Sequence, residues 1–420
     1  MRLTVLTTFF SLFLAFTPGS TGADTGKTAR PGFSNWAWGS ASLLSEKEKA
    51  LLRELEEPMV RALDVEEALE HWFAGRAATA AGKTEEAERH WTAGVKAVQK
   101  ELTPLPKAEW PQPPDSSLEF DEKIDYPGTE GTEIHIVHWQ VGELTQYGIL
   151  ILPNGNRPEK GFPLLLYLHG AAFGVPKHAL PWLAEMARQG YAIIGPALRG
   201  ENLFSIGTYS TEGQDYVSEG TIENLDGEVQ DAVGAAVAAR RLDDIRDGAF
   251  AIIGHSFGAG AGLLVTARSE DVACMVSYDA WLTNPFRFYW ARMRPGTSYY
   301  WGSWEQFCLQ PVARQLSELM KRSIVHHAAQ VSCPLLLFIG GAYQGSAYHE
   351  SHADLVAELE SYGKNYEYTV VPDAGHNFVL YYDSDAAQHS YRKHMNFLRT
   401  HFPPAFNSAN GITDPADGTD

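Results

Sequence analysis

Ser256 sits at the centre of Gly254-His255-Ser256-Phe257-Gly258. An apolar run, Phe250-Ala251-Ile252-Ile253, leads into it, and the small-residue stretch 259–264 follows. A buried strand, a sharp turn and a helix in that order make a nucleophile elbow, which lifts a serine hydroxyl to the top of a sheet. The flanking glycines suit a turn that brings strand and helix backbones too close for a Cβ. A hydroxyl is barely nucleophilic at neutral pH, so it needs a base. The chain has 15 histidines. His376, in Pro372-Asp373-Ala374-Gly375-His376-Asn377, follows the last predicted strand, where this chemistry requires it. His255 is read as a packing residue, its side chain pointing away from that of Ser256.

The third member of such a constellation is a carboxylate that fixes the histidine tautomer. The loop after the strand at 334–339 reads Gly340-Gly341-Ala342-Tyr343-Gln344-Gly345-Ser346 and holds no carboxylate before Glu350. The preceding strand ends Tyr278-Asp279-Ala280-Trp281. That puts Asp279 at the carboxyl end of a strand, where sites in open α/β sheets form. Asp279 is the favoured acid, with Glu350 or Asp354 as alternatives. The oxyanion of a tetrahedral intermediate is expected on the N–H of Phe257 and on that of Ala171, in His169-Gly170-Ala171-Ala172-Phe173. Arg199, after the strand at 191–196, either lines the pocket or forms a structural ion pair.

Strands are predicted at 133–139, 147–153, 162–170, 191–196, 250–254, 272–278, 334–339 and 366–371. Helices are predicted around 179–189, 225–241, 352–361 and 386–400. Their alternation implies an α/β-hydrolase fold, a mostly parallel sheet with helices on both faces. Ahead of it, 24–103 has helical periodicity. Trp72, Gly75, Gly82, Trp91 and Gly94 suggest one tetratricopeptide-like helical hairpin, which must pack on the hydrolase domain or on a partner to bury its face. The partner of that hairpin is unassigned. The Pro-rich stretch 104–118 is the expected domain boundary. The hydrolase domain then covers 119–402, with an aromatic cap or lid at 281–331, and 403–420 forms a polar tail expected to be disordered.

At 420 residues and 44% hydrophobic content the chain can bury a large core. A formal charge of −19 with no basic cluster argues against nucleic acid and against electrostatic docking on anionic lipid. Arg2, the apolar run 3–16 and the small residues Thr21-Gly22-Ala23 form a secretory signal over 1–23, so a secreted or periplasmic location is expected. The three cysteines, Cys274, Cys308 and Cys333, lack metal spacing. Buried free thiols are expected, a Cys274–Cys333 bridge being the alternative. No metal or cofactor is implied.

The motifs His169-Gly170-Ala171-Ala172-Phe173, Gly254-His255-Ser256-Phe257-Gly258, Tyr278-Asp279-Ala280-Trp281 and Leu337-Phe338-Ile339…Tyr343-Gln344 together resemble those of the secreted platelet-activating factor acetylhydrolases. The resemblance spans roughly 120–400. It implies a Ser256, Asp279 and His376 triad with Ala171 and Phe257 as oxyanion donors. It further implies calcium-independent cleavage of short or oxidised sn-2 acyl groups from phospholipids. The signal, the N-terminal hairpin and the aromatic segments 286–290 and 299–304 depart from that pattern. Those aromatics form either a transient lipid-interface patch or a packed cap. The expected function is therefore a secreted serine esterase acting on a small-molecule or lipid ester. The alternatives are a dienelactone-hydrolase-type carbohydrate or polyester esterase, with its acid at Glu350, and a non-catalytic secreted binding scaffold.

Overall fold

The computed structural model describes residues 44–111, 115–170, 174–204, 213–294 and 310–406. The expected signal and most of the expected tail lie outside them. The described residues begin with three helices: α1 (Glu46–Val60), α2 (Glu66–Ala80) and α3 (Thr84–Val98). Ser45 caps α1, its hydroxyl accepting the Glu48 N–H at 3.1 Å. The α2–α3 hairpin turns through Gly82 at φ +73°. Gly75 lies against the indole of Trp91, 2.4 Å from where a Cβ would stand, so the two helices meet closely. The hairpin thus forms where its glycines and tryptophans suggest, with α1 as a third helix against it.

Nine strands follow: β1 (Glu119–Ile124), β2 (Thr132–Val141), β3 (Leu144–Pro153), β4 (Leu164–Leu168), β5 (Ala192–Pro196), β6 (Phe250–His255), β7 (Val272–Tyr278), β8 (Leu335–Gly340) and β9 (Tyr366–Val371). They form one sheet in the order β1-β2-β3-β5-β4-β6-β7-β8-β9. The pairings from β5 through β9 are parallel, and β1, β2 and β3 extend the sheet antiparallel. The protein has the α/β-hydrolase fold. The edge strand β1, absent from the sequence reading, is almost wholly exposed and lacks the apolar alternation that marks a strand.

Side-chain alternation along the central strands builds two apolar layers. Leu164, Leu166, Leu168, Phe250 and Ile252 face α5 (Gly227–Ala239) and α6 (Phe257–Arg268). Leu165, Tyr167, Ala251 and Ile253 face α4 (Leu180–Arg188) and α10 (Asp385–His401). Three further helices, α7 (Pro285–Met293), α8 (Val312–Arg322) and α9 (Ala347–Ser361), belong to the first layer.

The N-terminal helices share that first layer rather than standing apart. Leu51, Leu55 and Trp72 are fully buried in the same apolar cluster as α5, α6 and α7. Trp290 on α7 donates its indole N–H to the Leu52 carbonyl at 2.9 Å. The proline-rich stretch is correspondingly no spacer. Leu105 N–H bonds the Ala62 carbonyl at 2.9 Å, and Pro104 bridges Leu63. The aromatics of α7 settle as a packed cap: Phe286, Phe288, Tyr289 and Trp290 are buried, so none serves as an interfacial patch. Residues 299–304 and Cys308 lie outside the described residues. Cys274 and Cys333 are buried free thiols. Among the described residues no helix is long and apolar enough to cross a membrane.

A shared core predicts shared unfolding. Leu55→Ala should cost about 2–5 kcal/mol and move a single melting transition. A separate early transition, with the hydrolase signal unmoved, would show that the helices fold independently.

Candidate active site

The carboxyl ends of β6, β7, β8 and β9 converge on one point. Ser256 follows β6 and holds φ +53°, ψ −116°, a conformation most side chains avoid. Neighbouring backbone holds it there. Ser256 N–H donates to Tyr278 O at 2.9 Å, and Trp281 N–H donates to Ser256 O at 2.8 Å. Gly258 explains the sequence requirement: a Cβ there would stand 2.2 Å from Leu168 O and 2.4 Å from His169 O. The close approach lets Gly258 N–H donate to His169 O at 3.0 Å, tying the elbow to the start of the expected oxyanion loop. Phe257 opens α6, so its N–H has no acceptor within the helix and lies beside Ser256. Ala171, the other expected donor, lies outside the described residues.

His376 is carried by the turn after β9, where Asp373 also takes positive φ. Its Nε2 lies 2.6 Å from Ser256 Oγ. His255 does more than pack: its Nε2–H donates to the His376 main-chain carbonyl at 3.0 Å, so the residue before the nucleophile anchors the base. Burial holds His255 down to about 4 and His376 down to about 3, the nearby His255 and His352 adding to the effect on His376. Both rings are therefore neutral in the resting site, as a general base requires.

Asp279 is fully buried at the end of β7, with φ +48°. Here the geometry corrects the expectation of a direct carboxylate–histidine bond. Asp279 Oδ1 accepts the Gly340 N–H at 2.8 Å, and Oδ2 is buried with no hydrogen-bond partner. With one hydrogen bond and no solvent, the carboxyl is pushed up to about 8. The group at His376 Nδ1 is instead the hydroxyl of Tyr348, at 3.3 Å, which also bonds the Asp279 main-chain carbonyl. Tyr348 went unnoticed in the sequence, where nothing separates it from the chain's 17 other tyrosines.

The alternative acids are engaged elsewhere. Arg287 takes Asp354 with Nε at 2.6 Å and Nη2 at 2.7 Å, and Glu350 with Nη1 at 3.1 Å. Arg199 forms the structural ion pair, holding buried Asp231 through two nitrogens, at 2.9 and 2.8 Å, and Glu223 at 2.7 Å. Trp281 stacks on Phe257 with centroids 5.5 Å apart, giving the elbow an aromatic flank.

A strained serine on a strand–helix turn, bonded to a histidine from the turn after the final strand, defines a serine hydrolase of the α/β-hydrolase class. The model of the prolyl oligopeptidase family matches residues 179–404, more than half of the chain. The chain belongs to that family. No curated protein sequence matches it. Among solved structures it is similar to an uncomplexed acylaminoacyl peptidase of Pyrococcus horikoshii, at 16% identity over 69% of this chain and 43% of that one, with a TM-score of 0.51. An orthorhombic crystal form of that peptidase aligns at 16% identity over 64% of this chain and 42% of that one, with a TM-score of 0.50. An acetyl xylan esterase from Paenibacillus sp. R4 aligns at 16% identity over 69% and 90% of the two chains, with a TM-score of 0.45. The chain thus spans less than half the length of the peptidase, and the likeness to it is one of fold.

The low value at His376 has a kinetic consequence. The base works only when unprotonated, and the acid limb of kcat/KM reports its ionisation in the free enzyme. A base held near 3 keeps kcat/KM for p-nitrophenyl acetate level from pH 7 to pH 5. A fall centred near 6.5 would contradict the burial that holds this ring well below the usual imidazole range.

Proposed function

We propose that the protein is an esterase that works through an acyl-enzyme on Ser256. The observation that carries this reading is the 2.6 Å contact between Ser256 Oγ and His376 Nε2 at the elbow. His376 Nε2 takes the hydroxyl proton as Oγ bonds to the ester carbonyl carbon. The resulting oxyanion lies at the Phe257 N–H and, in this proposal, that of Ala171. Collapse breaks the bond to the alkoxide, which leaves as the alcohol with the proton from His376. Water then gives a proton to His376 as its oxygen attacks the acyl carbon. The acid departs and the proton returns to Oγ.

Asp279 is the carboxyl that offsets the imidazolium formed in these steps. Its Oδ2, buried with no hydrogen-bond partner, supports this role, since a buried carboxyl with spare acceptor capacity is stabilised as its anion by a nearby cation.

Among esters, the acetylhydrolase-like motifs support a phospholipid carrying a short sn-2 acyl group. Asp279-Ala280-Trp281 is intimate with the reaction centre: Trp281 both bonds Ser256 O and stacks on Phe257. The signal-like N-terminus supports action outside the cytoplasm. A peptide substrate, the kind that gives this family its description, is the competing outcome.

Wild type and Ser256→Ala, assayed on a 2-acetyl phospholipid, p-nitrophenyl acetate and an N-acetylated peptide, test the proposal. Hydrolysis of both esters, abolished in Ser256→Ala, is expected. Cleavage of the small ester alone removes the phospholipid assignment. Preferential cleavage of the peptide replaces the esterase reading, and turnover that survives Ser256→Ala ends the account of the site.

A further inference from the structure

We infer that Tyr348 is a positioning residue of this site, the group that selects the tautomer of His376. The inference rests on the Ser256–His376 reading above.

Counting protons leads to it. A tyrosine hydroxyl carries one proton and acceptor lone pairs. The main-chain carbonyl of Asp279 can only accept, so the Tyr348 proton lies on that bond. The hydroxyl therefore faces His376 Nδ1 with a lone pair, and Nδ1 must be the protonated nitrogen. A neutral imidazole has one N–H, which leaves Nε2 bare and 2.6 Å from Ser256 Oγ. That tautomer alone can take the serine proton. The usual holder, a carboxylate at Nδ1, is replaced by a neutral hydroxyl whose own orientation is set by the backbone of β7.

The fold fixes Tyr348 for this task. It occupies the second position of α9, whose N-cap Ser346 accepts the His349 N–H. The ring is buried and meets His376 edge-on with centroids 5.6 Å apart and planes at 85°. Phe288 of the cap helix α7 packs on it at 6.4 Å, and Ser351, bonded to Thr283 at 2.9 Å, returns a hydrogen bond of 2.7 Å to the Tyr348 carbonyl. Through these contacts the cap, and the N-terminal helices behind it, bear on the base.

Tyr348→Phe keeps the ring and deletes the acceptor. It should lower kcat on p-nitrophenyl acetate about 10- to 100-fold, less than the roughly 10⁴ lost when a charged triad acid is removed, with KM within about twofold. The specific readout is nitrogen NMR of protein labelled with ¹⁵N-histidine, His376 being assigned from its loss in His376→Gln. Wild type at pH 7 should show His376 protonated on Nδ1, and Tyr348→Phe should shift it toward the Nε2–H form. A wild-type spectrum with Nε2–H overturns the inference even should the variant fail to fold. A folded Tyr348→Phe with wild-type kcat and tautomer overturns it as well. Failure of the underlying reading is distinct, because it appears as turnover in Ser256→Ala whatever Tyr348 does.

Discussion

Ser256 is held in a backbone conformation that costs on the order of 1–3 kcal/mol, and the structure around it exists to hold it there. The strain persists because four neighbouring residues over-determine the turn. Tyr278 receives its N–H, Gly260 and Trp281 donate to its carbonyl, and Gly258 lies against the carbonyls of Leu168 and His169. The contacts come from three segments: β7 and its end, α6, and the end of β4. The elbow is thus where the parallel strands are locked in relative height. The same lock sets the position of Asp279, whose N–H bonds Phe338 of β8 at 2.9 Å, and of Gly340, whose N–H takes the Asp279 carboxyl.

A second constraint runs through histidines. His255, His352 and His376 are all buried, and loss of solvent keeps each ring neutral, His255 and His352 adding to the effect on His376. Neutral rings can donate to and accept from main-chain groups, and these do: His255 to the His376 carbonyl, and His352 Nδ1 to the Tyr348 carbonyl at 3.0 Å. The base is therefore fixed through its backbone on one side and, through Tyr348, at its ring on the other. Arg287, paired with Asp354 and Glu350, secures α7 to α9, the helix that carries Tyr348.

The parts of this site that were legible in the sequence are those with a backbone reason. Gly254, Gly258 and the apolar run before them are demanded by the elbow, and His376 is marked by following the final strand. The other eight strands declared themselves by unbroken or alternating apolar residues, whereas β1, with charged residues exposed, did not. Asp279 was found from its strand end, but spacing alone could not say where its oxygens point. Gly340 N–H draws Oδ1 away from the histidine, and a tyrosine 69 residues further on fills the space. No local pattern distinguishes such a tyrosine from one in the core. The N-terminal helices were readable as helices because periodicity reveals that a face is buried. It does not reveal against what, and their fusion to the hydrolase core through Leu51, Leu55 and Trp290 emerged only in three dimensions.

The central claim is that Ser256 is a nucleophile made reactive by His376, and covalent trapping tests it most directly. Purified protein would be treated with a fluorophosphonate, its intact mass taken, and the modified peptide sequenced. The account predicts one adduct per chain, on Ser256, with the rate of labelling reduced by orders of magnitude in His376→Gln. A folded protein that stays unmodified, that is labelled at another residue, or that labels equally fast without His376 would contradict it.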